Sequence, residues 1–385
     1  MVFAKDVAIQ SEGLGMASRI TPRLSDVLAL ATVGYFISVS TKILVPKFYS
    51  DIYMIYYRNV LPTNNGIPYH AYFLEYPAIP AILIWVGGLA GNIESYMVTI
   101  SFLMFFFAIA AVYFVYQTCV EFGMDLGRII PFFILTPSFL ANSFANWDIT
   151  AVCFVAAAIY YELKKKPRKS GLCLGLGFAA KAYPLLLLPV FLRDAKTWHD
   201  RFEMFLSTVL GAAIPNLPFM VTDFNAWLNS NLLSREAVYS ENSLVGVIRY
   251  YGFLNQDWLV NAVVWSLILL TILHVTFSSY SLVLKSWLIV AVTVLLFPSY
   301  PPQYNLWLFP MFALSPVFPL IPFLAFDLID VALGLSWFAV SNPFQAWGLI
   351  WDMALIRIGL LAALVVWAIH RSKGPHIPQD QVQPL

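Results

Sequence analysis

Apolar stretches long enough to cross a hydrocarbon core recur along this chain from Arg23 to Ile369, and that recurrence constrains its fold more than any single motif. A bilayer core is about 30 Å thick and needs about 20 apolar residues per helical crossing. Backbone N–H and C=O groups find no water there and must pair internally. The expected fold is therefore an all-α integral membrane protein. The charge content agrees: 11% of residues are charged, against about 25% in a soluble domain. A net charge of +1 carries no nucleic-acid footprint. Residues 1–22 are expected to be a short cytoplasmic tail, residues 23–370 one polytopic domain and residues 371–385 a second cytoplasmic tail. Met1 to Arg23 lacks the ordered apolar region of a cleaved signal peptide, so the first span is expected to stay. Cys119, Cys153 and Cys173 lie in or beside apolar runs without CxxC spacing. They are expected to be small core residues rather than disulfide partners or metal ligands.

Lys and Arg concentrate in cytoplasmic loops. The strongest basic run is KKKPRK, Lys164 to Lys169. Placing it inside orders the rest. A first span, about Arg23 to Val45, runs outward to a long external loop. Pro77 to Ala90 is apolar but short, as suits a re-entrant or interfacial segment. Spans are then expected at Ser95 to Thr118, Ile129 to Asn142 and Ile149 to Leu163, with Asn146, Trp147 and Asp148 at the outer surface. Ser170 to Leu192 reads as two short helices meeting at Lys181. Phe202 to Met220 leads to a second long external loop, Val221 to Gln256, of which Asn225 to Ser243 is expected to shape the acceptor site. Later spans are expected at Trp258 to Phe277, Leu282 to Pro298, Asn305 to Leu324, Ala325 to Val340 and Leu349 to Ile369. The count is about twelve crossings with both termini inside. No repeat relates the halves, unlike transporters built on internal symmetry.

Polar groups in or beside the membrane are costly and point to function. This topology gathers Asp51, Arg58, His70, Glu75, Asp148, Lys181, Arg235, Arg249, Gln303 and Asn305 at one outer surface. A carboxylate among cations suits chemistry on an anionic, lipid-linked substrate, with cations binding phosphate and the carboxylate taking a proton. Asp51 is the candidate general base. Structural alternatives stand beside this reading. Asp51 could cap a helix over Ile52 to Val60, and Asp148 could cap the span that follows it. Glu75 could be a solvated residue before Pro77. Lys181 could snorkel to the headgroups. Arg249 could sit in an interfacial helix, and Arg357 and Asp352 could pair with neighbouring helices. No HExxH, GxSxG or P-loop motif occurs, and no carboxylates stand at metal spacing. No cofactor is expected.

Three stretches, taken in order, resemble the C-type superfamily of membrane glycosyltransferases (GT-C), which take sugars from polyprenyl or dolichyl phosphate. The loop holding Asp51, Tyr69 and FLEYPAIPAIL (Phe73 to Leu83) looks like the first external loop of the GPI mannosyltransferase I family and its prokaryotic relatives. LTPSFLANSFANWDITAVCFVAAAIYYELKKK followed by GLGFAAKAYPLLLLPVFL is similar to the family's pattern of Asn-Pro, a short external turn, a span, a basic loop, Lys-x-Tyr-Pro and Leu-Pro, matched by Pro137, Lys181, Tyr183, Pro184 and Pro189. PSYPPQYNLWLFP, Pro298 to Pro310, resembles an external Pro-Gln-Tyr element of related mannosyltransferases. The resemblance implies a GT-C-like helical bundle, a first-loop base at Asp51 and a carrier-phosphate contact at Lys181. One departure stands out: many relatives carry Asp-x-Asp, and here the second position is Tyr53. A single carboxylate is a poor divalent-cation site.

The resulting expectation is inverting transfer of a hexose, mannose first, from a polyprenyl- or dolichyl-phosphate carrier to an acceptor hydroxyl at the extracytoplasmic face. That face would be the outside of a prokaryotic cell membrane or the lumen of a eukaryotic endoplasmic reticulum. Lys181, Arg249 and Arg235 are the donor-phosphate candidates. Glu75, Tyr76, Asp148, Tyr183, Gln303, Tyr304 and Asn305 are the substrate-binding candidates. Tyr72, Tyr76, Trp147 and Tyr304 could stack on sugar faces. The partners are the lipid-linked donor, a glycan or glycolipid acceptor and the bilayer. Two alternatives stay open: a flippase or transporter for a lipid-linked sugar, and an outer-face polysaccharide polymerase or ligase that would depend more on external arginines.

Overall fold

A computed structural model describes residues 22–44, 50–233, 242–250, 256–337 and 348–372. Every described regular element is a helix, and the described residues contain no strand. Ten helices have eleven residues or more. They are α1 (Leu24–Leu44), α2 (Ala78–Gly88), α3 (Ile93–Glu121), α4 (Asp148–Leu163), α5 (Pro167–Ala180), α6 (Trp198–Thr222), α7 (Asp257–Phe277), α8 (Leu282–Leu296), α9 (Leu320–Trp337) and α10 (Leu349–Arg371). Six of these, α1, α3, α6, α7, α9 and α10, are long and apolar enough to cross a membrane. The chain is a multi-pass membrane protein. Of the expected tails, 1–22 and 371–385, residues 1–21 and 373–385 lie outside the described residues, and Arg371 belongs to α10.

These helices are apolar on their packed and unpacked faces alike. In α1, Val27, Ala31, Tyr35 and Val39 are buried at helical spacing, while Val33, Phe36 and Leu44 stand exposed. A soluble helix would be polar on that second face, so lipid is the solvent here. Caps start several helices. Asn92 accepts from the Ser95 N–H at the start of α3, and Thr197 and Asp200 form a capping box at the start of α6.

The closest helix pair is α5 on α6. Gly171 and Gly175 are four residues apart on one face of α5, as in the small-xxx-small motif. A Cβ at Gly175 would meet the Thr208 carbonyl oxygen at 2.1 Å, and one at Gly171 the Met204 carbonyl oxygen at 2.2 Å. Backbones that near leave no room for a side chain. This contact anchors α5, and the end of α5 carries Lys181.

Proline redraws several expected boundaries. Asn305 to Leu324 and Ala325 to Val340 do not form two successive spans. Pro302 and Pro310 divide the first into a short 3₁₀ turn, Pro302–Trp307, and a six-residue helix, Phe309–Leu314. Both are packed in the protein interior, with Leu306, Phe309 and Phe312 fully buried. A single helix, α9, then begins after Pro319. Ile129 to Asn142 is likewise not one helix. It is a π turn, Ile130–Ile134, followed by Pro137–Asn142, because Pro cannot continue a preceding helix. The break at Lys181 lies where expected, between α5 and a 3₁₀ turn at Tyr183–Leu187. The eleven residues of α2 extend about 16 Å, too short to cross.

The two ends of the bundle differ in chemistry. On α4, Asp148 lies at one end and the Lys164–Lys169 run follows the other, about 24 Å away at 1.5 Å per residue. Lys164 pairs with Glu121 at 2.7 Å and Lys165 with Asp194 at 2.6 Å, which brings the ends of α3 and the Leu188–Asp194 helix to that basic end. Asp148 marks the opposite end.

Candidate active site

The long loop between α1 and α2 folds over the Asp148 end of α4. Ser50 is the residue before a short helix, and Asp51 is its first helical residue, so Asp51 is not the cap of Ile52 to Val60. The segment runs as Asp51–Ile55, a π turn at Tyr56–Val60 and Leu61–Thr63. The Asp51 N–H donates to the Ala145 carbonyl at 2.9 Å, and Ser50 Oγ donates to the same oxygen at 3.2 Å. Further along, Asn59 Nδ2 donates to the Phe73 carbonyl and Tyr69 Oη to the Tyr76 carbonyl at 2.7 Å. Those bonds turn Tyr76 inward. Its hydroxyl donates to Asp51 Oδ2 at 2.7 Å.

Because this loop covers the start of α4, Asn146, Trp147 and Asp148 are buried and not at a surface. The cap position of α4 is Trp147, and the Asp148 carboxylate faces Lys181 instead of closing a helix turn. Lys181 Nζ lies 2.8 Å from Asp148 Oδ1. Asp148 is fully buried while the Lys181 side chain keeps 18% exposure, so the carboxylate depends on the ammonium and the ammonium retains an open side. This arrangement is an interior ion pair, not snorkelling. The Lys181 ammonium also lies within 6 Å of three ring centres, at 5.1 Å from Tyr304, 5.8 Å from Trp307 and 5.9 Å from Tyr76. Tyr183, Trp307 and Tyr304 form a ladder of stacked rings, 4.3 Å and 4.0 Å between centres. Such cation–ring contacts strengthen when water is excluded.

Asp51 also opens on the other side into a cavity of about 640 Å³. Lys42, Asn142, Asn242 and Gln303 are among its polar lining, and Ile37, Leu140, Leu333 and Leu335 are among its apolar walls. Lys42 lies in the last turn of α1 and is electrostatically coupled to Asp51. As a site residue it is an addition to the sequence reading. The available signal was a lysine in the final turn of the first apolar span.

The fold thus brings together Asp51, Tyr76, Asp148, Lys181, Tyr183, Gln303 and Tyr304 from separate stretches. Other candidates lie elsewhere. Glu75 pairs with Arg58 at 2.5 Å in an exposed bridge. His70 pairs with Asp223 at 3.0 Å, tying the loop before α2 to the end of α6. Asn305 is buried and accepts from the Tyr300 hydroxyl at 2.6 Å, an internal structural bond. The Arg249 guanidinium pairs with Asp257 and does not line the cavity. Arg235 lies outside the described residues. Trp147 is buried edge-on to Tyr76, so a sugar cannot reach its face. Arg357 binds Asp330 at 2.6 Å and donates to the Asn242 and Tyr300 carbonyls, which props the cavity wall that Asn242 lines. Asp352 is exposed. Among the described residues, no three His, Cys, Asp or Glu side chains gather closely enough to hold a metal ion.

A helical membrane protein with a carboxylate, two lysines and an aromatic ladder at one end invites comparison with enzymes that act on lipid-linked sugars. A family model described as Glycosyltransferase family 87 matches residues 73–299, more than half of the chain. The chain belongs to glycosyltransferase family 87. No curated protein and no solved structure matches it. The matched stretch of this family 87 glycosyltransferase contains Tyr76, Asp148, Lys181 and Tyr183, while Asp51 and Lys42 lie before it. The family carries the enzyme class, and the roles of individual residues rest on the geometry above.

Proposed function

We propose that this family 87 glycosyltransferase transfers a hexose, with mannose the first candidate, from a polyprenyl- or dolichyl-phosphate carrier to an acceptor hydroxyl. Asp51 is the general base. The observation that carries this reading is the position of Asp51. Tyr76 holds one carboxylate oxygen, and the residue borders a cavity with apolar walls and a lysine in its lining. A lipid-linked phosphosugar needs those three surroundings: an apolar path for the isoprenoid, a cation for the phosphate and a base for the acceptor.

In the reaction the acceptor hydroxyl gives its proton to Asp51 as its oxygen attacks the anomeric carbon. The bond from that carbon to the phosphate oxygen breaks, and the carrier phosphate leaves with the electron pair. One base on the face opposite the leaving group gives inversion. A phosphate leaving group needs no proton from an acid. Lys42 and Lys181 stabilise the charge that develops on it, in surroundings poor in water. Lys42 lines the cavity and Lys181 does not, so Lys42 is the stronger candidate for the phosphate, and Lys181 holds Asp148 and the aromatic ladder in register. In the Tyr183–Trp307–Tyr304 ladder, Tyr183 and Trp307 are buried and the half-buried Tyr304 is the ring with a face to offer.

The reaction belongs at the extracytoplasmic face on this reading. The Lys164–Lys169 run is at the other end of α4, and positive-inside topology sets that run in the cytoplasm. The test is transfer of radiolabelled polyprenyl-phosphate mannose to a membrane lipid extract by purified protein in lipid, with a chelator present. Wild type should label product, and Asp51→Asn should lose at least about 100-fold, the low end of a general-base contribution. Equal labelling by the two proteins would remove Asp51 as the base. An unlabelled extract with wild type would remove this donor class.

A further inference from the structure

At the basic end of the bundle, far from Asp51, a second cavity of about 480 Å³ lies between the start of α6 and the end of α7. Its walls are almost wholly apolar. Phe202 and Phe205 on α6 and Leu273 and Phe277 on α7 face it, and all four are exposed large side chains. The apolar stems of two arginines, Arg193 and Arg201, belong to its lining. Each rests against an aromatic ring at the rim, Arg193 at 5.8 Å from Phe277 and Arg201 at 4.9 Å from Trp198. Arg201 Nε donates to the Ala195 carbonyl. Neither arginine forms an ion pair among the described residues. The nearby carboxylates are engaged elsewhere. Asp194 pairs with Lys165, Glu203 with Arg168 and His199, and Asp200 closes the α6 capping box. Lys285 adds a third cation beside the groove, donating to the Thr276 carbonyl at 3.2 Å. The buried Thr276 hydroxyl, in the groove lining, has no hydrogen-bond partner.

Positive charge whose neighbouring carboxylates are paired elsewhere, at the mouth of an apolar groove between two membrane-spanning helices, is complementary to one chemistry: an anionic headgroup on an acyl chain. We infer that this groove is a binding site for an anionic phospholipid of the leaflet beside the Lys164–Lys169 loop. The phosphate sits between Arg193 and Arg201, and an acyl chain lies along Phe202, Phe205 and Leu273. A zwitterionic lipid would fill the same groove but would bring a cation toward the arginines, so the site selects for net negative charge. It is separate from the reading of Asp51 and stands or falls without it.

The test is native mass spectrometry of the whole protein, released from micelles doped with equal amounts of phosphatidylglycerol and phosphatidylcholine carrying the same chains. Wild type should retain phosphatidylglycerol in clear preference. Each cation near an anionic headgroup is worth about fivefold, so Arg193→Gln with Arg201→Gln should lower phosphatidylglycerol retention by about 25-fold and leave phosphatidylcholine retention unchanged. The pair Arg193→Lys with Arg201→Lys keeps the charge and should keep most of the selectivity, which separates binding from a folding defect. Equal retention of the two lipids by wild type, or an unchanged ratio in the glutamine variant, would overturn the inference. A third arm with polyprenyl phosphate tests the occupant. Its displacement of phosphatidylglycerol at equal concentration would overturn the assignment to a phospholipid.

Discussion

Removing the Lys181 ammonium should unfold more of this protein than removing both partners of its ion pair. Asp148 is fully buried, and Lys181 Nζ at 2.8 Å is its ion-pair partner. Breaking a buried pair from one side leaves an uncompensated charge and costs about 3–5 kcal/mol, whereas replacing both partners with apolar groups is often neutral. Unfolding entropy near 2.1 cal/mol/K per residue gives a chain of 385 residues about 0.8 kcal/mol/K. Lys181→Met should therefore lower the apparent Tm by about 4–6 °C. Lys181→Met with Asp148→Leu should recover most of that loss. The assay is intrinsic tryptophan fluorescence during heating of detergent-solubilised protein, with each variant's transferase activity measured below its transition. Activity adds a second axis. If Lys181 also steadies charge on the donor phosphate, the double variant regains stability without regaining turnover. A single variant as stable as wild type would refute the dependence of Asp148 on Lys181. A double variant no more stable than the single would refute the pairing as the cause.

Other perturbations probe separate parts of the argument. Asp51→Asn should keep the wild-type Tm within about 1 °C, because the half-buried Asp51 retains a carboxamide oxygen for Tyr76, so its loss of transfer would be chemical. Gly175→Leu should abolish folded yield by size-exclusion chromatography, since even a Cβ meets backbone at 2.1 Å. Gly359→Ala, with nothing within 4 Å, should be silent. The tie between the loop before α2 and α6 should open only in acid. The Ala226 N–H, and next His70, hold the Asp223 carboxyl below its ordinary range. A carboxyl lowered on folding stabilises fully above its ordinary value near 4 and loses that contribution as pH falls through the lowered one. Acid-active protease should therefore begin to nick the loop between Pro62 and Pro77 only below about pH 4. Cutting at pH 6 as fast as at pH 3 would refute the tie.

Much of the helical scaffold was legible in the sequence because a bilayer imposes length and polarity on every crossing. α3, α4, α6, α7 and α10 lie within a few residues of the apolar runs. The break at Lys181 announced itself by a charge and Pro184 inside an apolar segment. Asn305 to Val340 misled because apolar content alone cannot separate a lipid-facing span from a packed interior segment. Prolines decided that case, and their effect depends on what surrounds them. The site was legible as a set of residue types at one end of the bundle. Its pairings were not legible, since Glu75 and Asp148 look alike as isolated carboxylates between apolar runs. One ends in an exposed bridge with Arg58 and the other in the interior against Lys181.

Composition and span length by themselves determined that this chain is a multi-pass helical membrane protein, because unsatisfied backbone polar groups have no place in hydrocarbon. The order of its motifs pointed to glycosyl transfer, and Asp51, Lys181 and Tyr76 could be named as candidates. Only the tertiary structure decided that Tyr76 holds Asp51, that Asp148 is buried beneath the first loop, that Lys42 shares the cavity and that Arg193 and Arg201 frame a second groove. These arrangements join residues from separate helices and loops. Sequence spacing says nothing about them until helix packing, above all the close approach of α5 and α6 at Gly171 and Gly175, fixes where each helix end comes to rest.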